Sequence, residues 1–124
     1  MGTSDHTVTE RGATALEFAV IFPVFVALLI GVFYLCMLLA VAGNLHAVVA
    51  DAARCASVKP QICASSASTV AYAQSHFYLT SMASPTFTYS TPQCGHAVTA
   101  SVSFVFNLGL SSLTVPLSAT SCFP

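Results

Sequence analysis

After Lys59 this 124-residue chain contains no Asp, Glu, Lys or Arg, and over its whole length it holds only four acidic and three basic residues. An ordinary domain carries about a quarter of its residues charged. Without clustered Lys and Arg there is nothing to neutralise a phosphate backbone, so nucleic acid is excluded as a partner. Beyond Asp51 no carboxylates can form a general acid–base pair, and a Ser-His-Asp relay would lack its orienting acid. Gly109-Leu110-Ser111-Ser112 lacks the second glycine of a nucleophile elbow, and no Gly-rich phosphate loop occurs. No Cys-x-x-Cys occurs either, and His96 beside Cys94 is the nearest approach to a zinc motif. His76 and His96 stand alone. The expectation is therefore a protein with no catalytic residues, no metal, no cofactor and no small-molecule substrate.

What the chain does have is an apolar run. From Phe18 to Gly43 about 26 residues pass without a strongly polar side chain, more than the roughly 20 a helix needs to cross a bilayer. Residues 1–12 before it are polar and read as a leader without structure of its own. Residues 13–57 read as one transmembrane and stalk helix, continuing past Asn44, His46, Asp51 and Arg54 until Pro60 stops it. At 1.5 Å per residue such a helix is about 65 Å long. Pro23 removes an internal donor and is expected to bend it. Phe18, Phe22, Phe25, Leu29, Val32 and Cys36 share one face, while Ala19, Pro23, Ala27 and Gly31 form a stripe of smaller residues suited to close helix contact. Thr14 and Glu17 have capping-box spacing, which would place a carboxylate at the positive end of the helix dipole.

Residues 58–124 are enough for one small domain. Ser65-Ser66-Ala67-Ser68 is a candidate N-cap, and Val70, Ala73, Phe77, Leu79 and Met82 predict a second helix ending before Pro85. Strands are expected over 86–91, 97–106 and 113–121. In the second, Val98, Ala100, Val102, Phe104 and Phe106 alternate with Thr99, Ser101 and Ser103, as in a central strand with one buried face. Pro116 puts the third at an edge. The fold class is thus α+β: a long N-terminal transmembrane helix, then one helix packed on a three-stranded antiparallel sheet.

Cys36 lies in the apolar run, and four further cysteines follow it, an even number that reads as two disulfides on the oxidising side of the membrane. Of three possible pairings we expect Cys55–Cys63, closing a turn around Lys59-Pro60, and Cys94–Cys122, tying the start of one strand to the end of its hairpin partner. Arg11 before the span is balanced by Arg54 and Lys59 after it, so basic residues do not orient the chain. The cysteines do, and they put residues 58–124 outside the cytoplasm.

The junction Gly12-Ala13-Thr14-Ala15-Leu16-Glu17-Phe18 resembles the processing site of type IV prepilins. The longer pattern from Arg11 through Ala19 and Phe22-Pro23, followed by Ala52-Ala53-Arg54, is similar to the TadE-like minor pseudopilins of tight-adherence (Flp, type IVb) pilus systems. Cys94-Gly95 and the closing Cys122-Phe123-Pro124 extend the likeness; Leu35-Cys36 departs from it, where such proteins often carry a polar or acidic residue. The resemblance implies cleavage by a prepilin peptidase between Gly12 and Ala13. It also implies assembly through Glu17 and Phe18, Glu17 pairing with the new amine of Ala13 in its own or a neighbouring subunit. The implied partners are prepilin peptidase, other pilins or pseudopilins and the inner-membrane pilus assembly platform. The implied location is the inner membrane, single-pass with a cytoplasmic N-terminus, or the pilus itself. A competing reading takes Ala40-Val41-Ala42 before Gly43 as a signal-peptidase site that releases a small secreted disulfide protein.

Overall fold

The computed structural model describes residues 6–107 and 109–124, with the side chains of residues 6–11 and 13 excepted. The chain divides into two units between Cys36 and Met37. Helix α1, His6–Val58, belongs to both and continues through Pro23 without ending there.

In the first unit the helix starts earlier than the sequence reading has it. It is already formed at His6, so residues 6–12 of the expected leader are helical; residues 1–5 of that leader lie outside the described residues. Between His6 and Arg11 there is neither Gly nor Pro to stop a helix nucleated further along. Gly12 alone costs only about 1 kcal/mol relative to Ala. Thr14 and Glu17 consequently sit inside α1, and no helix N-terminus exists at Thr14 for a capping box to serve.

In the second unit the rest of α1 is not a free stalk. Val41, Leu45, Val48, Val49, Ala52 and Ala53 are buried and belong to one core cluster with Phe87, Val98, Ala100, Val102, Phe104 and Ala119 of the sheet. Steps of three and four residues put these six helix positions on one face. His46, Asp51 and Arg54 occupy the other and are exposed.

Helix α2, Ser66–His76, is capped reciprocally: the Ser68 amide donates to Ser65 Oγ at 3.2 Å, and the Ser65 amide donates to Ser68 Oγ at 2.9 Å. It ends six residues before the expected Met82. Phe77 leaves the helix in an extended conformation and buries its ring edge-on against Phe87, with centroids 6.5 Å apart. The amides of Met82 and Ala83 then turn back to the carbonyl of Leu79. A tertiary contact thus overrides a helical spacing that residues 77–82 would otherwise continue.

The sheet is three-stranded and antiparallel, in the order β1 (Thr86–Ser90), β2 (His96–Asn107), β3 (Ser112–Phe123). The α+β architecture is that expected from the sequence. Ala100 stands between Phe87 and Ala119, and Asn107 opposite Ser112. Pro116 lies on edge strand β3 opposite Ser103, the kind of strand in which a residue without an amide donor is tolerated. Gly95, just before β2, has φ +120°, and a Cβ there would collide with the Phe123 carbonyl oxygen and stand 2.7 Å from Pro124 Cα. Only glycine fits that approach.

Candidate functional site

Three groups of residues were singled out by sequence, and the structure places them in different parts of the molecule. Gly12 is exposed on α1, with nothing within 4 Å of the point where a side chain would begin. Ala13 follows it in the helix, its side chain outside the described residues. One turn on, Glu17 is exposed, and the Phe18 ring lies tilted against that of Phe22 with centroids 5.4 Å apart.

From there the helix surface is apolar in every direction. Phe18, Ile21, Val24, Leu28 and Phe33 are 58–68% exposed, and among the described residues 14–36 only Phe25's neighbour Val26 and Tyr34 are even partly covered. Water-soluble surfaces rarely expose contiguous apolar patches above a few hundred Å². By length and composition this stretch of α1 is a candidate membrane span.

The cysteines form the third group. Cys55 and Cys63 are bonded, with Cα atoms 5.9 Å apart, and clip the last turn of α1 to the loop that leads into α2. Cys94 and Cys122 are bonded, with Cα atoms 6.3 Å apart, where β2 begins and β3 ends. Cys36 is unpaired and exposed on the apolar helix, not buried as a small core hydrophobe would be. The bilayer and neighbouring helices are what can cover it.

The histidines have local partners. His76 Nδ1 lies 2.8 Å from the Tyr72 carbonyl, and its ring stacks on that of Tyr72. His96 stacks on Tyr89, whose hydroxyl meets His96 Nδ1. Among the described residues no three His, Cys, Asp or Glu side chains gather in a way that could hold a metal ion. What sequence reasoning missed is the buried face of residues 41–56, a structural rather than a chemical site.

A long apolar helix, a candidate membrane span, followed by a small disulfide-tied α+β unit is the class of architecture the structure defines. More particularly, residues 12–54 match the family model of TadE-like protein, so this segment is TadE-like and points to a component of a Tad pilus system. That family is one of pilus structural components and is not known for enzymes. The matched segment begins at Gly12 and ends at Arg54, taking in the apolar helix and its continuation into the core of the second unit. No curated protein and no solved structure matches the chain.

Proposed function

We propose that the chain is a minor pseudopilin acting in assembly of a Tad/Flp-type pilus, cut after Gly12 by a prepilin peptidase. The observation that carries this reading is the junction itself: Gly12, then Glu17-Phe18, at the head of an uncovered apolar helix, all inside the TadE-like segment. The role is physical. The helix holds the subunit in the bilayer until a partner helix offers comparable burial, and helix association in lipid relies on close packing of small residues such as Ala19, Ala27 and Gly31. A carboxylate at the edge of hydrocarbon is costly without a partner. Once Ala13 is the N-terminus, its amine lies one turn from Glu17 and supplies that partner, in the same subunit or in a neighbour. Pairing fixes the register at which the subunit joins the assembly. Prepilin peptidase, other pilins or pseudopilins and the inner-membrane assembly platform are then its partners, with the disulfide-tied unit outside the cytoplasm.

Release by signal peptidase after Ala42 is less well supported. Val41 is fully buried in the core of the second unit, and Met37 and Leu38 pack against that core. A cut at Gly43 would strip all three from the domain it is meant to free, and burial of a Val-sized side chain alone contributes about 1.5–3 kcal/mol.

The test is intact-mass measurement of the membrane fraction from cells that make the chain with its prepilin peptidase. The expected mature N-terminus is Ala13, and Gly12→Val should remain full length because a branched side chain obstructs access to the scissile bond. A chain starting at Gly43 in the medium would overturn the proposal.

A further inference from the structure

Charge is scarce in the second unit, and all of it converges on one cavity. Residues 37–124 contain Asp51, Arg54 and Lys59 and no other Asp, Glu, Lys or Arg. These three side chains line a cavity of about 230 Å³ that Cys55, Val58 and Tyr72 complete. Steps of three, four and seven residues bring Arg54, Cys55 and Val58 onto the face of α1 that carries Asp51, Lys59 follows directly, and α2 supplies Tyr72. The cavity lies wholly within this unit, so nothing in it depends on the apolar segment.

The charged side chains are exposed, but the frame that carries them is fixed. The Lys59 amide donates to the Cys55 carbonyl at 2.8 Å, and the amides of Ile62 and Cys63 donate to the Lys59 carbonyl at 3.0 and 3.1 Å. The Cys55–Cys63 disulfide closes the same turn, so the backbone at Lys59 is held from both sides. Tyr72 is half-buried, packs against Cys55, Ala56 and Cys63, and stacks on His76 with centroids 4.0 Å apart. Among the described residues no hydrogen bond or ion pair engages the Arg54 guanidinium, the Lys59 ammonium, the Tyr72 hydroxyl or the Asp51 carboxylate. Three donors and one acceptor thus border a single space without a partner in their own unit.

We propose that this cavity is a docking site for an acidic segment of a protein partner, taking the carboxylate of one Asp or Glu side chain together with its adjoining backbone. Arg54 presents a planar fork of donors that matches a carboxylate, and Lys59 adds a second positive charge. The Tyr72 hydroxyl donates to the same group or to a neighbouring carbonyl. Asp51 selects a peptide over a phosphate. A peptide brings amide donors for that acceptor, whereas a phosphate at this pH brings mainly acceptors and sets like charge beside the Asp51 carboxylate. Size points the same way. Pockets that enclose a whole small molecule run to about 300–1,000 Å³, so about 230 Å³ suits a side chain on a larger partner. Because the remaining surface of the unit carries no Asp, Glu, Lys or Arg, this patch is where an acidic partner is oriented by charge.

The test titrates the full ¹⁵N-labelled chain, in micelles of an uncharged detergent, and follows its amide signals and the Arg54 Nε–H by NMR. The probes are an acetylated and amidated glycine pentapeptide with a central Glu, the same peptide with Gln in its place, inorganic phosphate, and phosphatidylglycerol added to the micelles. Expected are saturable shifts at Arg54, Lys59 and Tyr72 with the Glu peptide, weakened by added salt, and binding of the Gln peptide about tenfold weaker or more. Arg54→Gln and Lys59→Gln, both changes at exposed positions, should each weaken the Glu peptide by a similar factor. Arg11→Gln removes the same charge from the other unit and should leave binding unchanged. Equal binding of the Glu and Gln peptides, no shift with either, or an equal loss in Arg11→Gln would overturn the proposal. Phosphate or phosphatidylglycerol binding as tightly as the Glu peptide would make this a phosphate site, and shifts that grow with chain concentration alone would mean a second copy fills it; either result overturns the acidic-segment assignment.

Discussion

Replacing Leu45 by Ala separates a helix that is part of a folded core from one that merely carries a domain on its end. Leu45 is 1% exposed and sits in the cluster that includes Val98, Ala100 and Phe104 of the central strand. The substitution removes three carbons, worth about 2.4 kcal/mol at ~0.8 kcal/mol per methylene. The cavity left behind adds to that, giving about 3 kcal/mol, within the usual 2–5 kcal/mol for such changes. For a unit of this size each kcal/mol moves the midpoint by about 4–8 °C, so Tm should fall by about 12–24 °C. His46→Ala, one residue along and exposed, should change stability by less than about 0.5 kcal/mol. The assay is thermal unfolding of the full chain in detergent, followed by near-ultraviolet circular dichroism of its Tyr and Phe rings. A Leu45→Ala midpoint within about 4 °C of the parent, or indistinguishable from that of His46→Ala, would refute the assignment of this face to the core.

Three further outcomes are expected. Replacing both Cys94 and Cys122 by Ser should cost about 3.5 kcal/mol and replacing both Cys55 and Cys63 about 2.5 kcal/mol, from loops of 28 and 8 residues, so denaturant midpoints should fall further for the first pair. Gly95→Ala should lose about 1–3 kcal/mol in the same titration, since its left-handed φ and the Phe123 carbonyl both reject a Cβ; an unchanged midpoint would contradict the close approach of the two strand ends. Glu17→Gln should leave cleavage and membrane insertion intact yet lower the number of pili counted by electron microscopy, whereas normal piliation would reduce Glu17 to a helix residue without an assembly role.

The apolar run, the central position of β2 and the edge position of Pro116 were legible because each rests on a strong local signal: length, alternation and a missing donor. The double role of α1 was not. Its buried face, from Val41 to Ala56, is opposed by His46, Asp51 and Arg54 but also by Gly43, Ala47 and Ala50, which are exposed yet no more polar than the buried alanines, so composition marks the two sides only in part. Ala52 and Ala53 are interior because the sheet covers them, and no property of alanine announces that. The spacing of Thr14 and Glu17 suggested a helix start, but a capping box is informative only where the chain beyond it is not helical, and here it is. Phe77 misled for the opposite reason. Its spacing from Ala73 suits a helix, but its ring reaches Phe87 only once the backbone has turned extended.

The two disulfides follow one another along the chain without overlapping. The Cys55–Cys63 loop is closed before Cys94 is reached, and Cys94 then has only Cys122 left. If the residues after the apolar run were delivered to an oxidising compartment in sequence order, arrival order and native connectivity would coincide. An oxidant that joins each cysteine to the next free one delivered would make both correct bonds in a single pass, with no mispaired intermediate to reshuffle. Uncatalysed disulfide rearrangement takes minutes to hours. A connectivity of this kind would therefore need no isomerase to reach its native pairing when the cysteines arrive in order.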